Sequence, residues 1–284
     1  MVYKEEGGRN VMVQKKAGLA GLTVLGAVLA IIFVSPIFIL LNNSFKPLRD
    51  IYIDILALPS GLYLENYTKA FKALDFVKSF MNSLGITIAA TLAIIITSSM
   101  AAWVLVRYKT KTSSILFSIF ACAQLIPFQC VMLPLVENMS NMGFMNRAGL
   151  VFMYVGFGCS MSIVLFHGFI KNIPLELEEA ARIDGCTMVH TFFLIVLPLL
   201  KTIMVTVAII NVMWIWNDFL LPQLIINKPG WQTIPLKTYM FFGQFTKKWD
   251  LATAGLVLGM IPIIVFYLTC QKYIVKGVTD GAVK

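Results

Sequence analysis

Glu179-Ala180-Ala181-Arg182-Ile183-Asp184-Gly185, running on through Phe192 to Ile195-Val196-Leu197-Pro198-Leu199-Leu200, is the longest interruption between apolar segments that itself reads as ordered helix. Pro174 suits a first helical position, where its fixed φ is already helical and its missing N–H is not needed. Glu176, Glu178 and Glu179 follow in the first turns, where the positive end of the helix dipole favours acids. Glu178 and Arg182 are four apart and spaced to pair across one turn. Gly185 supplies a left-handed stop, and a second helical run begins near Thr187 and flows into the next apolar segment. The expectation is a short helix over 174–185, a turn and a second helix, lying on a membrane surface. An ordinary amphipathic connector between two spans would meet the same description.

The composition makes a bilayer the solvent. Of 284 residues, 58% are hydrophobic and 13% charged, and the mean hydropathy is +0.82; a soluble domain carries about a quarter charged residues. The net charge of +9 fits a topology signal better than nucleic-acid binding, for which no motif is present. The five cysteines, Cys122, Cys130, Cys159, Cys186 and Cys270, include no Cys-x-x-Cys pair, and His167 and His190 are too far apart for a helical metal pair. Neither a disulfide framework nor a metal site is expected.

Six segments are long and apolar enough to cross: Leu19–Leu41, Phe80–Val106, Ile115–Val136, Ala148–Ile170, Thr202–Ile226 and Leu251–Gln271. Lipid admits only helices or closed barrels, and runs of this length without alternation are helices. The fold expected is all-α and membrane-integral: a cytoplasmic segment 1–18, a first span 19–41, an external loop 42–79, a core 80–271 and a cytoplasmic tail 272–284. The first apolar run is too long for a signal-peptide core and reads as a retained span. With both termini inside, 13 of the 23 Lys and Arg fall on the cytoplasmic side, a modest positive-inside bias. That orientation puts the 174–185 helix in the cytoplasm.

Polar residues inside the spans mark a candidate pathway. The third span holds Gln124, Pro127, Gln129 and Pro134; a mid-span proline frees a carbonyl and bends the helix, which lipid tolerates where the break faces protein or water. Gln124 or Gln129 could face that pathway, and a packing kink would look the same. In the fifth span Asn211, Trp214 and Asp218 stand at i, i+3 and i+7, on one helical face, with Asn217 adjacent. A polar face beside an aromatic ring suits a sugar, whose hydroxyls need hydrogen bonds and whose apolar face packs on a ring. Asp218 also suits an outer gate, and Trp214 and Trp216 suit interfacial anchors. In the last span Gly255 and Gly259 form a small-xxx-small pair suited to helix packing.

The spacing of Glu179-Ala180-Ala181, Gly185, Ile195 and Leu197-Pro198 resembles the EAA motif of ABC importer permeases. Lys201 departs from it where the family often has a second proline. Ser44-Phe45-Lys46-Pro47, Leu58-Pro59, Glu65-Asn66-Tyr67, Phe71, Asn82-Ser83 and the ending Gly277-Val278-Thr279-Asp280-Gly281-Ala282-Val283-Lys284 are similar to carbohydrate-importer permeases of the maltose-transporter type. Asp280 stands in place of a more usual small residue. The resemblance implies one N-terminal helix before a five-helix permease core in a bacterial plasma membrane. It implies a coupling helix whose Glu179, Ala180, Ala181, Asp184, Gly185 and Pro198 serve a cytoplasmic ATPase, and a tail whose Thr279, Gly281 and Val283 touch it. It also implies a second homologous permease making a heterodimer, two ATPase subunits as a homodimer, and an extracytoplasmic solute-binding protein.

The cargo implied is a disaccharide or oligosaccharide, with glycerol phosphate or another polyol as alternatives. No cofactor is expected in this chain; ATP and Mg would belong to the partner subunits. The sequence contains no Gly-Lys dipeptide, so no P-loop can be drawn, and no catalytic set is recognisable. An ATPase-independent secondary transporter or channel is the alternative class. It would call for repeats and buried ion-coupling groups.

Overall fold

The computed structural model describes residues 2–243 and 247–282, with side chains over 21–243 and 247–271. The helices in chain order are α1 (Val2–Ser44), α2 (Leu48–Ile53), α3 (Glu65–Ala73), α4 (Phe76–Arg107), α5 (Lys111–Ala123), α6 (Phe128–Asn141), α7 (Arg147–Ile170) and α8 (Glu176–Ile183). There follow α9 (Met188–Leu199), α10 (Lys201–Asn217), α11 (Leu220–Ile225), α12 (Ile234–Tyr239) and α13 (Trp249–Ala282). No strand occurs among the described residues, only an isolated bridge between Phe242 and Lys247. Among the described residues four helices are long and apolar enough to cross a membrane, or up to six if each of two bent pairs counts as one span.

The chain divides into two compact units, 1–70 with 242–257 and 71–241 with 258–284. In the first, α1 exposes Leu22, Ile31 and Phe33, an apolar surface suited to lipid. Polar residues gather where this helix ends. Asn42 Nδ2 donates to Ala57 O (2.8 Å), Asn43 Nδ2 to Ile55 O (3.0 Å), and the buried Lys46 Nζ to Asp54 O (3.1 Å). Asn66 Nδ2 donates to Ser44 O and Lys46 O. Buried carbonyls need such donors, so the polar residues after the first apolar run knit the following loop into a folded segment.

In the second unit α4 and α7 run parallel, with α10 antiparallel to both. At one end Ala102, Trp103 and Val106 pack with Ile163, Phe166, Ile170, Ile203 and Val207. At the other, Ile86, Ala90 and Ile94 pack with Leu150, Met153, Tyr154 and Ile215. Small residues allow the close approach: a Cβ on Gly158 would lie 2.5 Å from Ile94 Cδ1 and 2.8 Å from Asn211 Oδ1. Asn82 and Ser83 of α4 pin the segment before α12, with Asn82 Nδ2 donating to Gly230 O and Gln232 O and Ser83 Oγ accepting from the Ile234 N–H. Gly259 is a packing glycine as expected: its absent Cβ would meet Ile234 at 2.8 Å, and its carbonyl accepts from the Trp216 indole.

Two expected spans are broken. The third bends by 104° between α5 and α6, at Gln124–Pro127, where Pro127 begins the second half in an extended conformation. The fifth is not one helix over 202–226. Asp218 ends α10 with ψ 130, and its Oδ1 accepts from the Leu220 N–H (3.0 Å) at the start of α11. The aspartate side chain offers the backbone a turn in place of another helical hydrogen bond. A further 78° bend separates α9 from α10. Before it, Phe192–Val196 widens into a π-helix in which the Leu197 N–H reaches Phe192 O; Pro198, with no N–H, follows directly.

Candidate functional site

The EAA-like stretch forms a helix two residues shorter at each end than expected, because Pro174 stands ahead of α8 and the turn begins at Asp184. The helix closes as a Schellman motif: Gly185 has φ +87, its N–H reaches Arg182 O (3.0 Å), and the Cys186 N–H reaches Ala181 O (2.9 Å). Thr187 then caps α9, accepting from the His190 N–H.

The expected Glu178–Arg182 pair does not form. Glu178 is wholly buried and faces α4. Its Oε2 accepts from Trp103 Nε1 (3.0 Å), and its Oε1 accepts from Arg107 Nε (2.8 Å) and pairs with Arg107 Nη2 at 2.7 Å. Arg107 Nη2 also donates to Ile173 O (3.0 Å), in the approach to α8. A buried carboxylate is tolerable only when paired and hydrogen-bonded; here all three donors come from one helix turn, since Trp103 and Arg107 are i and i+4. Arg182, one turn further along α8, is exposed.

This clamp divides the motif by face. Glu178 and Ala181, three apart, are buried against the chain's own core, so Ala181 serves internal packing. Glu179, Ala180, Asp184 and Gly185 are exposed, as is Pro198. Beside them Ile183 is 87% exposed, with Leu177, Met188 and Val189 also uncovered. The helix is thus fixed on one side and presents a mixed acidic and aliphatic surface on the other.

The pathway residues fall into two groups. Gln124 lines a cavity of about 470 Å3 inside the α5–α6 bend, together with Ser160 and the rings of Phe128, Phe152 and Phe157. Gln129 is exposed and outside that lining. On α10, Trp214 and Asp218 meet through Tyr154: the Tyr154 hydroxyl donates to Asp218 Oδ2 (2.9 Å), and its ring stands edge-on to Trp214 at 5.5 Å. Asn211 is buried and donates to Ser162 Oγ (3.1 Å) and Val207 O. Asn217 is exposed and donates to Met213 O. Thr279, Gly281 and Val283 lie outside the residues whose side chains are described.

Reading the sequence missed Trp103, Arg107 and Tyr154. The first two carry a signal, an indole and a guanidinium on one face at the end of a span. Their partner lies 71 residues from Arg107, and only the packing of α8 brings the two together.

The described residues form an α-helical core of apolar spans that presents a short amphipathic helix at its surface, and comparison with known proteins defines the class. The family described as "Binding-protein-dependent transport system inner membrane component" matches residues 93–280. The chain is 46% identical, over 97% of its length and 99% of the relative's, to the probable starch degradation products transport system permease protein AmyC of Thermoanaerobacterium thermosulfurigenes. It is 35% identical, over 92% of its length and 95% of the relative's, to the multiple sugar-binding transport system permease protein MsmG of Streptococcus mutans. Its fold is similar to a chain of a bacterial ABC transporter involved in the import of the acidic polysaccharide alginate, with TM-score 0.75 and 22% identity over 90% of this chain and 95% of that one. The chain belongs to the binding-protein-dependent transport system inner membrane component family. The resemblance read from the EAA-like stretch is thereby borne out: this is a multi-pass membrane component of an importer, a transport subunit and not an enzyme.

Proposed function

We propose that this chain is a permease subunit of an ABC sugar importer and that α8 is the lever through which a cytoplasmic ATPase drives it. The carrying observation is the two-sided character of α8: its inner face is locked by Glu178 to Trp103 and Arg107, while Ile183 is 87% exposed on the outer face. An aliphatic side chain left open beside acids suits a partner protein. A force applied to α8 reaches α4 through a buried, hydrogen-bonded charge pair, and α4 is packed along α7 and α10.

In this reading the two bent pairs each count as one span, giving six, with both termini in the cytoplasm. Two ATPase subunits, holding ATP and Mg, close together and move α8 of each permease, and the bundles rock to open the pathway toward a solute-binding protein. This chain holds no cofactor and pairs with a second homologous permease. The similarity to AmyC, a probable permease for starch degradation products, and to MsmG, a multiple sugar-binding transport permease, supports a sugar cargo. Gln124 and Ser160 among three phenyl rings supply hydrogen bonds and apolar faces that a disaccharide or oligosaccharide uses. Trp214 and Asp218, joined through Tyr154, lie on α10 as a second set of pathway residues, with Asn211 and Asn217 supporting that helix. Thr279, Gly281 and Val283 contribute the tail contact with the ATPase.

The test is recovery of the tagged chain from its native membranes in mild detergent, with mass spectrometry of its companions. An ATPase and a second permease are expected; recovery of the chain alone would refute the reading and favour ATPase-independent transport.

A further inference from the structure

A second cavity of the second unit lies away from the pathway residues. It measures about 890 Å3 and is bordered by the end of α4, the start of α5, the end of α7 and Leu175 ahead of α8. That volume falls within the roughly 300–1,000 Å3 typical of small-molecule sites. Four cations line it, Arg107, Lys109, Lys111 and Lys171, and no acid does. Arg107 is committed to Glu178, whereas Lys109, Lys111 and Lys171 are exposed and form no ion pair among the described residues.

The placement of two of these lysines is unfavourable without an anion. Lys109 and Lys111 flank the N-terminus of α5, the positive end of a 13-residue helix dipole. The hydroxyls of Thr110, Ser113 and Ser114 line the same wall and can donate to phosphate oxygens. A topology signal requires only that cations stand on one side of the membrane; here they converge on one hollow.

We infer that this cavity binds the phosphate headgroup of an anionic phospholipid. Two features select a lipid over a free anion. Arg107 closes α4 and Lys171 directly follows α7, so the cations stand at the ends of spans, at headgroup depth. Beyond the cavity's hydroxyls, α5 turns apolar and uncovered, with Ile115 60%, Leu116 43% and Ile119 57% exposed, a flank along which acyl chains can lie. Basic pockets between membrane helices recognise acidic headgroups by this combination of charge and depth. Because Arg107 also holds Glu178, and Leu175 borders the hollow, the headgroup sits against the joint of α8.

The experiment uses the purified transporter complex in detergent, offered phosphatidylglycerol or phosphatidylcholine, with retained lipid counted by native mass spectrometry. Wild type is compared with the triple variant Lys109→Gln, Lys111→Gln and Lys171→Gln, leaving Arg107 in place, and with the corresponding triple Lys→Arg variant. Wild type and the arginine variant are expected to retain phosphatidylglycerol and release phosphatidylcholine. The neutral variant should lose affinity by about fivefold per lysine, on the order of a hundredfold for three. Equal retention by the neutral variant, or retention of phosphatidylcholine as well as phosphatidylglycerol by wild type, overturns the inference. Displacement of the lipid by millimolar inorganic phosphate also overturns it and assigns the site to a free anion. Wild type alone decides the last two outcomes, so they stand even if a variant fails to assemble. Lipid retention is read without transport or ATP, so its failure leaves the coupling role of α8 intact.

Discussion

Replacing Glu178 by Gln removes one charge from the joint between α8 and α4 at nearly constant volume. Glu178 is wholly buried, and the Arg107 side chain is 13% exposed. Breaking a buried pair from one side costs about 3–5 kcal/mol, because the remaining charge stays buried without its counter-ion. The glutamine keeps one carbonyl acceptor for Trp103 or Arg107 but turns an amide donor toward the others, which places the cost near 3 kcal/mol. Since α8 has little else buried besides Ala181, this loss falls on its docking and not on the whole fold. Hydrogen-exchange mass spectrometry of the intact complex should therefore show amides of 176–183 opening roughly a hundredfold more readily. The first half of α4 should be unchanged, and substrate uptake should fall while ATP turnover persists. The double variant Arg107→Met, Glu178→Leu removes both charges and should open less readily than Glu178→Gln. It does not return fully to wild type, because the Trp103 indole and the Ile173 carbonyl lose their partners. Exchange in Glu178→Gln within about threefold of wild type, or a double variant worse than the single one, would refute the clamp.

Gly185→Leu should insert and assemble yet lose uptake with ATP turnover retained; no atom lies within 4 Å of the missing Cβ, so the cost is the left-handed backbone, about 1–2 kcal/mol, and Gly185→Asn should be milder in a paired uptake and ATPase assay. Gly158→Ala should lower the melting temperature of the purified complex, through about 1–3 kcal/mol of overpacking against Ile94 and Asn211, while Gly168→Ala on the same helix, with open space around it, should not. Trp214→Ala and Gln124→Ala should each raise the KM for sugar uptake, by about three- to tenfold where a ring contact worth about 0.5–1.5 kcal/mol is lost, without changing the melting temperature by more than a few degrees; an unchanged KM in both would remove them from the pathway.

Much of this architecture is legible because lipid leaves few alternatives. Uncharged runs such as Leu19–Leu41 must be helices, and the prolines at 127 and 134 forecast a break that the structure realises as a 104° bend. Gly185 is legible as well, since its spacing after a short acidic helix calls for a left-handed cap. What local reasoning misses is competition from distant partners. Glu178 prefers the buried donors of Trp103 and Arg107 to an exposed Arg182 one turn away, because a charge leaving water needs more hydrogen bonds than one flexible side chain supplies. Asp218 fits the heptad-like face of a continuous helix, yet its carboxylate is taken up by Tyr154 and the start of α11, which ends α10. Helical periodicity reports which residues share a face, and it does not report whether the helix continues.

If the open face of α8 meets an ATPase, that contact can be trapped covalently. A photoreactive amino acid placed at Ile183, with the complex illuminated in its native membranes, tests it most directly. A single major adduct on the nucleotide-binding subunit is expected, lost when Gly185→Leu is added. Adducts confined to lipid or to the chain itself, with transport intact, would contradict it.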